Sequence, residues 1–451
     1  MKASEVFLVA FCFLQPCAQG GETGAEPQAY RGSPEKQLAR DIFKELIEIN
    51  TTDSSGSTTQ AAEAMAARLR SAGFPPEDVH VLGPDPRKGN LVARLRGTGA
   101  RRPILLLAHL DVVEARREDW TFDPFRFTEQ DGYFYGRGTN DIKSGDALLV
   151  ADLIRFKQEG FVPDRDIIVA LTADEEGGKF NGVSWLLRNH RELIDAAYCL
   201  NTDGGGGELQ KGKHLLNELQ TGEKVYLSFS FEVRNRGGHS SLPEKDNAIY
   251  RLAEGLIRLS KFDFPVKLNE TTRTYFQKMS RIENGQAARD METVAMAVHS
   301  PDPASVRRLA ATPYYNALMR TTCVATELTA GHAENALPQR ARAVVNCRML
   351  PDDSAALVQQ TLERVVADAK ITITPLQKPS SSPASPLLPE VVEAVDRTTN
   401  AVWPGVPAVP IMSVRRSPAN WPPAGRRYAR YARIPAASAV AGLWCRRQRR
   451  L

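Results

Sequence analysis

Three apolar segments of this chain end in groups that bind protons or metals. "ILLLAHLDVV" carries His109 and Asp111 near its end, "IIVALTADEEGG" runs from Ile167 into Asp174, Glu175 and Glu176, and "AAYCLNTDGGGG" reaches Asp203. A further acid, Asp141, sits in "YGRGTNDIKSG", a glycine-punctuated loop directly before a helical pattern. Carboxylates gathered this closely raise one another's pKa unless a cation lies among them. One imidazole with several carboxylates suits a zinc ion, and two ions ~3.5–4 Å apart sharing a carboxylate would use more of the set.

His109 and Asp111 stand two apart on a strand, so their side chains leave the same face. Asp111 is then placed to accept a hydrogen bond from one ring nitrogen while the other faces a metal. Plainer readings exist: a structural His–Asp hydrogen bond, a solvated pair of glutamates, and a turn capped by Asp203. Joint occurrence favours a shared site, because the C-terminal ends of strands in open parallel sheets border the ligand crevice. Alternation along the chain sends Glu175 and Glu176 to different sides, and Asp174 is left as a supporting or solvent-facing residue.

The elements that must position these groups follow an α/β pattern from about Pro34. "EKQLARDIFKELIEI", "TTQAAEAMAARLRSAGF" and "SGDALLVADLIRFKQEG" have helical spacing, whereas "NLVARLRG" and the apolar segments above read as strands. Continuous apolar strands alternating with helices predict a parallel sheet covered on both faces. From "VYLSFSFEVR" onward the period is two, with Val225, Leu227, Phe229, Phe231 and Val233 on one side. That pattern marks a separate α+β domain whose sheet has one wet face. "LQKPSSSPASPLLP" is a Pro/Ser-rich link, and "EVVEAVDRTTNAV" resumes a helix.

At 451 residues, with 42% hydrophobic and 25% charged composition, the chain has room for two or three domains. "MKASEVFLVAFCFLQPCAQG" reads as a signal peptide over residues 1–20, which predicts an exported protein, periplasmic or secreted. No later run approaches the ~20 apolar residues of a membrane helix. The formal charge of +5 becomes −5 once the ten arginines of residues 413–451 are set aside, so no basic nucleic-acid surface is expected outside that tail. Cys199, Cys323, Cys347 and Cys445 are scattered singly. They indicate neither a zinc ribbon nor a dense disulfide framework, and Cys323 and Cys347 are read as two buried thiols rather than a pair.

With these residues in view, the chain resembles the M20 metallopeptidases, a family of aminoacylases, glutamate-releasing carboxypeptidases and dipeptidases. The stretches that carry the resemblance are "AHLDVV", "DGYFYGRGTNDIKSG", "LTADEEGG", "NTDGGGG", "RGGHSSLP", "ENALP" and "NCRMLP", in family order. The resemblance implies a phosphorylase/hydrolase-like α/β catalytic domain (34–221 and 376–412) interrupted by an α+β dimerisation domain (222–375). It implies two zinc ions, with cobalt or manganese as alternatives: His109, Asp141 and Asp203 on one, and Asp141 with Glu176 on the other. Asp111 would orient His109, and Glu175 would be the general base. His239 would polarise the scissile carbonyl of a partner subunit in a homodimer. Arg348 would anchor a substrate carboxylate, and Asn335 would contact substrate. The implied reaction is hydrolysis of a peptide or N-acyl-amino-acid bond beside a free carboxylate.

The family pattern also has a later metal-ligating histidine, but the seven histidines here end at His332. After "VPIMS" the chain changes abruptly to an Arg/Pro/Ala-rich tail, 413–451, which reads as a shifted frame. Two expectations compete: a dizinc hydrolase impaired as encoded, and a binding protein of the same fold with an incomplete metal site. A nucleic-acid or membrane-surface role for the tail is the third.

Overall fold

The computed structural model describes residues 33–210, 212–378, 383–414 and 434–435. Residues 1–20, read above as a signal peptide, and most of the tail lie outside these residues. The chain divides into two units: of the described residues, one holds those up to Leu219, Pro389–Ala408 and 434–435, the other Gln220–Leu388 and 409–414.

The first unit begins with helices α1 (Pro34–Glu48) and α2 (Thr58–Ser71), whose N-termini are capped by the hydroxyls of Ser33 and Ser57. Strands β1 (Val79–Leu82), β2 (Asn90–Leu95) and β3 (Ile104–His109) follow. A hairpin, β4 (Thr128–Gln130) and β5 (Tyr133–Tyr135), turns on Asp131 and Gly132, both in the left-handed region. Helix α3 (Lys143–Gln158), β6 (Ile167–Thr172), α4 (Gly182–Asn189), α5 (Arg191–Ile194) and β7 (Tyr198–Asn201) complete the core. The sheet order is β1-β2-β6-β3-β7.

All six residues of β6 are buried, because both sheet faces are covered. Val169 and Leu171 face the cluster built by α1, α2 and α3, whereas Ile168 and Ala170 meet Leu186 and Ile194 from α4 and α5. The fully parallel sheet expected from sequence is corrected. β6, β3 and β7 are parallel, but β2 runs antiparallel to β6 and β1 antiparallel to β2. The short β1–β2 connection, residues 83–89, carries no crossover helix and so returns the chain antiparallel.

Register explains how the acids converge. β3 and β6 pair from Ile104 with Ile167 to His109 with Thr172, and β3 and β7 from Ile104 with Tyr198 to Leu107 with Asn201. His109, the acids after Thr172 and the acid after Asn201 therefore leave the same sheet edge. Helix α3 starts against that edge: a Cβ on Gly145 would stand 2.8 Å from Thr202 Oγ1, so the close approach requires glycine. The hairpin β8 (Gly206–Gln210) and β9 (Lys213–Glu223) follows.

In the second unit, β10 (Val225–Arg234) is followed by β11 (Gly238–His239) and α6 (Ala248–Ser260). Helices α7 (Glu270–Met279), α8 (Gly285–Met296), α9 (Pro303–Ala310) and α10 (Pro313–Met319) come next, and none was apparent in the sequence pattern. β12 (Thr322–Ala330), β13 (Ala336–Leu337), β14 (Arg340–Met349), α11 (Ala355–Val366) and β15 (Ile371–Pro375) close it. The sheet is antiparallel in the order β12-β14-β10-β15, and α6 and α11 cover its apolar face. Cys323 of β12 lies opposite Cys347 of β14, and the two form a disulfide, not the pair of thiols expected. Strand register is what brings them together, and register is invisible in their spacing. The Pro/Ser-rich link stays with this unit, as Ser385 N–H donates to the Thr221 carbonyl. Helix α12 (Pro389–Val402) then re-enters the first unit, burying Ala394 and Val395 with Ala408.

Candidate metal centre

His109, 2% exposed, ends β3. Its Nδ1 lies 3.0 Å from the backbone carbonyl of Asp111 and 3.5 Å from that residue's carboxylate. A carbonyl only accepts, so Nδ1 carries a proton, which leaves Nε2 as the ring nitrogen that would face a metal. Around Nε2 stand Asp141 at 3.1 Å, Asp203 at 3.9 Å and Glu175 at 4.0 Å. Ligand atoms of His109, Asp141 and Asp203 all lie within 4.8 Å of one another. Glu176 reaches the same group by hydrogen-bonding Asp141.

Asp111 does more than face the ring. Its two carboxylate oxygens accept the backbone N–H groups of Glu175 (3.1 Å) and Glu176 (2.9 Å), so the residue fixes the loop carrying both acids. Asp141 comes from the loop before α3, and its peptide bond to Ile142 is cis.

The electrostatics describe a crowded anionic pocket. Burial, then repulsion from Asp203, Asp111 and Asp141, pushes Glu175 up to about 7. Burial and the Asp141 charge push Glu176 up to about 8. Asp203 is raised chiefly by burial. His109 moves well above its ordinary value although burial opposes this, because Asp111 and Asp141 hydrogen-bond it. One buried oxygen of each glutamate, Oε2, has no hydrogen-bond partner. Imidazole nitrogen, clustered carboxylates and orphaned carboxylate oxygens form a donor set that fits a divalent cation.

Sequence reasoning missed three neighbours, Lys88, Arg137 and Asp146. Lys88 and Asp174 form a buried ion pair at 2.6 Å, so Asp174 is a support and not solvent-facing. Arg137 lies near Glu176 and Asp141 and stacks over Trp120 at 5.0 Å. Asp146 on α3 is fully buried beneath the centre, and burial holds its carboxyl well above the ordinary range. A lysine in "DPRKGN" reads as a solvated turn residue, and no local pattern marks it as buried.

The other three candidates belong to the second unit. β11 and β13 pair His239 with Ala336, and Ser240 N–H donates to the Asn335 carbonyl, so residues almost a hundred positions apart share one ribbon. His239 is exposed; its Nδ1 accepts the Ser241 N–H at 3.2 Å and lies 2.7 Å from Ser241 Oγ, leaving Nε2 protonated and outward. The Arg348 guanidinium lies 4.6 Å over the Tyr226 ring on the wet face of the sheet.

Comparison with known proteins places this geometry in context. The model of Peptidase family M20/M25/M40 matches residues 105–420. The N-fatty-acyl-amino acid synthase/hydrolase PM20D1 of Mus musculus is 28% identical over 321 residues, 68% of this chain and 62% of that protein. Carboxypeptidase S of Saccharomyces cerevisiae is 28% identical over 284 residues, 60% and 48% of the respective chains. The chain thus spans about three fifths of the length of the first curated relatives it matches. Among solved structures, the M20 family metallo-carboxypeptidase Sso-CP2 of Sulfolobus solfataricus superposes with a TM-score of 0.58 at 16% identity, covering 90% of this chain and 96% of that one. Human carnosine dipeptidase 1 gives a TM-score of 0.53 at 15% identity, with 91% and 94% coverage.

Proposed function

The chain belongs to Peptidase family M20/M25/M40, and from that premise we propose a metal-dependent hydrolase that cleaves a peptide or N-acyl-amino-acid amide bond beside a free carboxylate. The observation that carries this reading is the convergence of His109, Asp141, Asp203, Glu175 and Glu176 on one sheet edge. His109, Asp141 and Asp203 would hold one divalent ion, zinc by the donor set, and Asp141 with Glu176 the second. A metal bound there supplies Lewis-acid polarisation of the carbonyl and acidifies the attacking water. Glu175, partly exposed at the pocket, would take a proton from an attacking water and pass it to the leaving amine. Asp111 keeps His109 and both glutamates in register. His239 of one copy would donate from Nε2 to the substrate carbonyl held by a second copy, Arg348 would offer a planar fork to the free carboxylate, and Asn335 would contact substrate.

The partner is a second copy of the chain, joined through the second unit. The support is an open edge strand, β12, with Val324 and Leu328 exposed, and an outward stripe on α6 of Ile249, Ala253 and Ile257. Export is consistent with the Cys323–Cys347 disulfide, which persists in oxidising compartments. No helix among the described residues is long and apolar enough to cross a membrane.

A second reading, a binding protein with an incomplete metal site, draws on the single His-containing ligand group among the described residues and on the end of the histidines at His332. Metal analysis beside a panel of dipeptides and N-acyl amino acids separates the two. About two zinc per chain with turnover supports the hydrolase; at most one, with binding but no turnover, supports the alternative.

A further inference from the structure

The turn that delivers Glu175 and Glu176 is held by a charge buried behind it. Lys88 is 5% exposed, and its ammonium donates to Asp53 at 2.5 Å and Asp174 at 2.6 Å. Asp174 is 3% exposed and adopts φ +56°, a left-handed conformation that an L residue holds only when its surroundings over-determine it. Those surroundings are explicit. The second Asp174 oxygen accepts Phe180 N–H at 3.0 Å, and its carbonyl accepts from the Asn181 amide at 3.2 Å. Ala173 N–H donates to Asn90 Oδ1 at 2.9 Å. A Cβ on Gly178 would stand 2.2 Å from the Asp174 carboxylate, so glycine is required there. On the far side, Asp111 receives the next two N–H groups. The acid-bearing turn is therefore clamped from both sides, and among the described residues only Lys88 supplies a buried positive charge bonded to it.

We propose that Lys88, acting through Asp174, is a positioning residue for hydrolysis: it holds the left-handed turn that aims Glu175 and Glu176 into the pocket. The proposal rests on the reading of Glu176 as a metal ligand and Glu175 as the base. Removing the ammonium strands a buried carboxylate and relaxes the turn. The acids then lose their direction while His109, Asp141 and Asp203 keep theirs.

The test uses the full chain, with Co2+ titrated against a chromophoric chelator and thermal unfolding measured in parallel. Lys88→Met is expected to retain the wild-type circular dichroism and to weaken Co2+ binding about 10–100-fold, the range typical of residues that orient metal ligands. Where turnover is measurable, kcat should fall by a similar factor with KM within about twofold. Lys88→Met/Glu176→Gln should bind no more weakly than Glu176→Gln alone, since both changes disable one arm. Wild-type-like Co2+ affinity in Lys88→Met, or losses that multiply in the double variant, overturns the proposal and leaves Lys88 a stability residue. If Glu176→Gln itself binds Co2+ like wild type, the ligand reading fails and this proposal with it. Should Lys88→Met not fold, Asp174→Asn decides: asparagine tolerates the left-handed turn, so an unchanged Co2+ affinity is equally fatal.

Discussion

Breaking the Cys323–Cys347 bridge tests both the second unit and the compartment. The bridge joins β12 to β14 across a sequence separation of 24. Closing a loop of that size removes chain entropy from the unfolded state worth about 3 kcal/mol. The β12–β14 ladder extends beyond the bridge, from Thr322 opposite Arg348 to Ala330 opposite Ala341, so the loss is expected to fall mainly on the unfolded-state constraint. Cys323→Ala/Cys347→Ala should therefore unfold at lower urea. Its melting transition for this unit should fall by about 6–12 °C, at roughly 2–4 °C per kcal/mol for a unit of this size. Wild type treated with a phosphine reductant should move to the variant's midpoint, and the variant should not respond. Thiol titration of denatured, unreduced protein should find two fewer thiols than after reduction. Equal thiol counts, with no effect of reductant on the midpoint, would refute the disulfide and remove the support it gives to export.

Four further outcomes follow. Glu175→Gln should lower kcat by about 10²–10⁴ with KM nearly constant, as loss of a general base does; steady-state kinetics on the best substrate of the panel reads it. Chelation should abolish turnover, and added Zn2+ should restore it, measured on dialysed enzyme against an apo control. Val324→Lys/Leu328→Lys should convert a dimer to a monomer by light scattering; an unchanged mass removes β12 from the interface. Asp152, buried in α3, is pushed up to about 7 by burial despite Arg155 beside it. Its folded value lies above the unfolded 3.8, so its penalty is absent below about pH 4, grows as pH rises and is complete above about 7, reaching at most about 4 kcal/mol. Asp152→Asn should therefore gain stability over wild type between pH 5 and 8, and parallel pH–stability curves would contradict this.

Much of the centre was legible because chemistry and topology coincide in the sequence. His109 ends, and Glu176 and Asp203 follow, strands long and apolar enough to recognise, and parallel strands deliver their C-terminal ends to one edge. Asp141 was legible from its place before α3. The direction of β2 was not, since apolar content is the same in either orientation. Lys88 and Asp174 were opaque for another reason: burial of a charge depends on its partner, and the two lie 86 residues apart. The helices α7–α10 escaped because their buried residues, such as Phe276, Met291 and Leu309, are spaced among polar ones without a long periodic run.

The bond between Ser385 N–H and the Thr221 carbonyl gives the second unit neighbouring ends. To the first unit, an excursion of well over a hundred residues behaves, once folded, like a short loop, because closure entropy depends on the distance still to be closed. The order of assembly follows: folding the second unit draws Leu219 and Pro389 together, so that α12 can find its place beside β7. The insertion acts as a clasp, and a variant of the second unit that folds slowly should delay completion of the first unit.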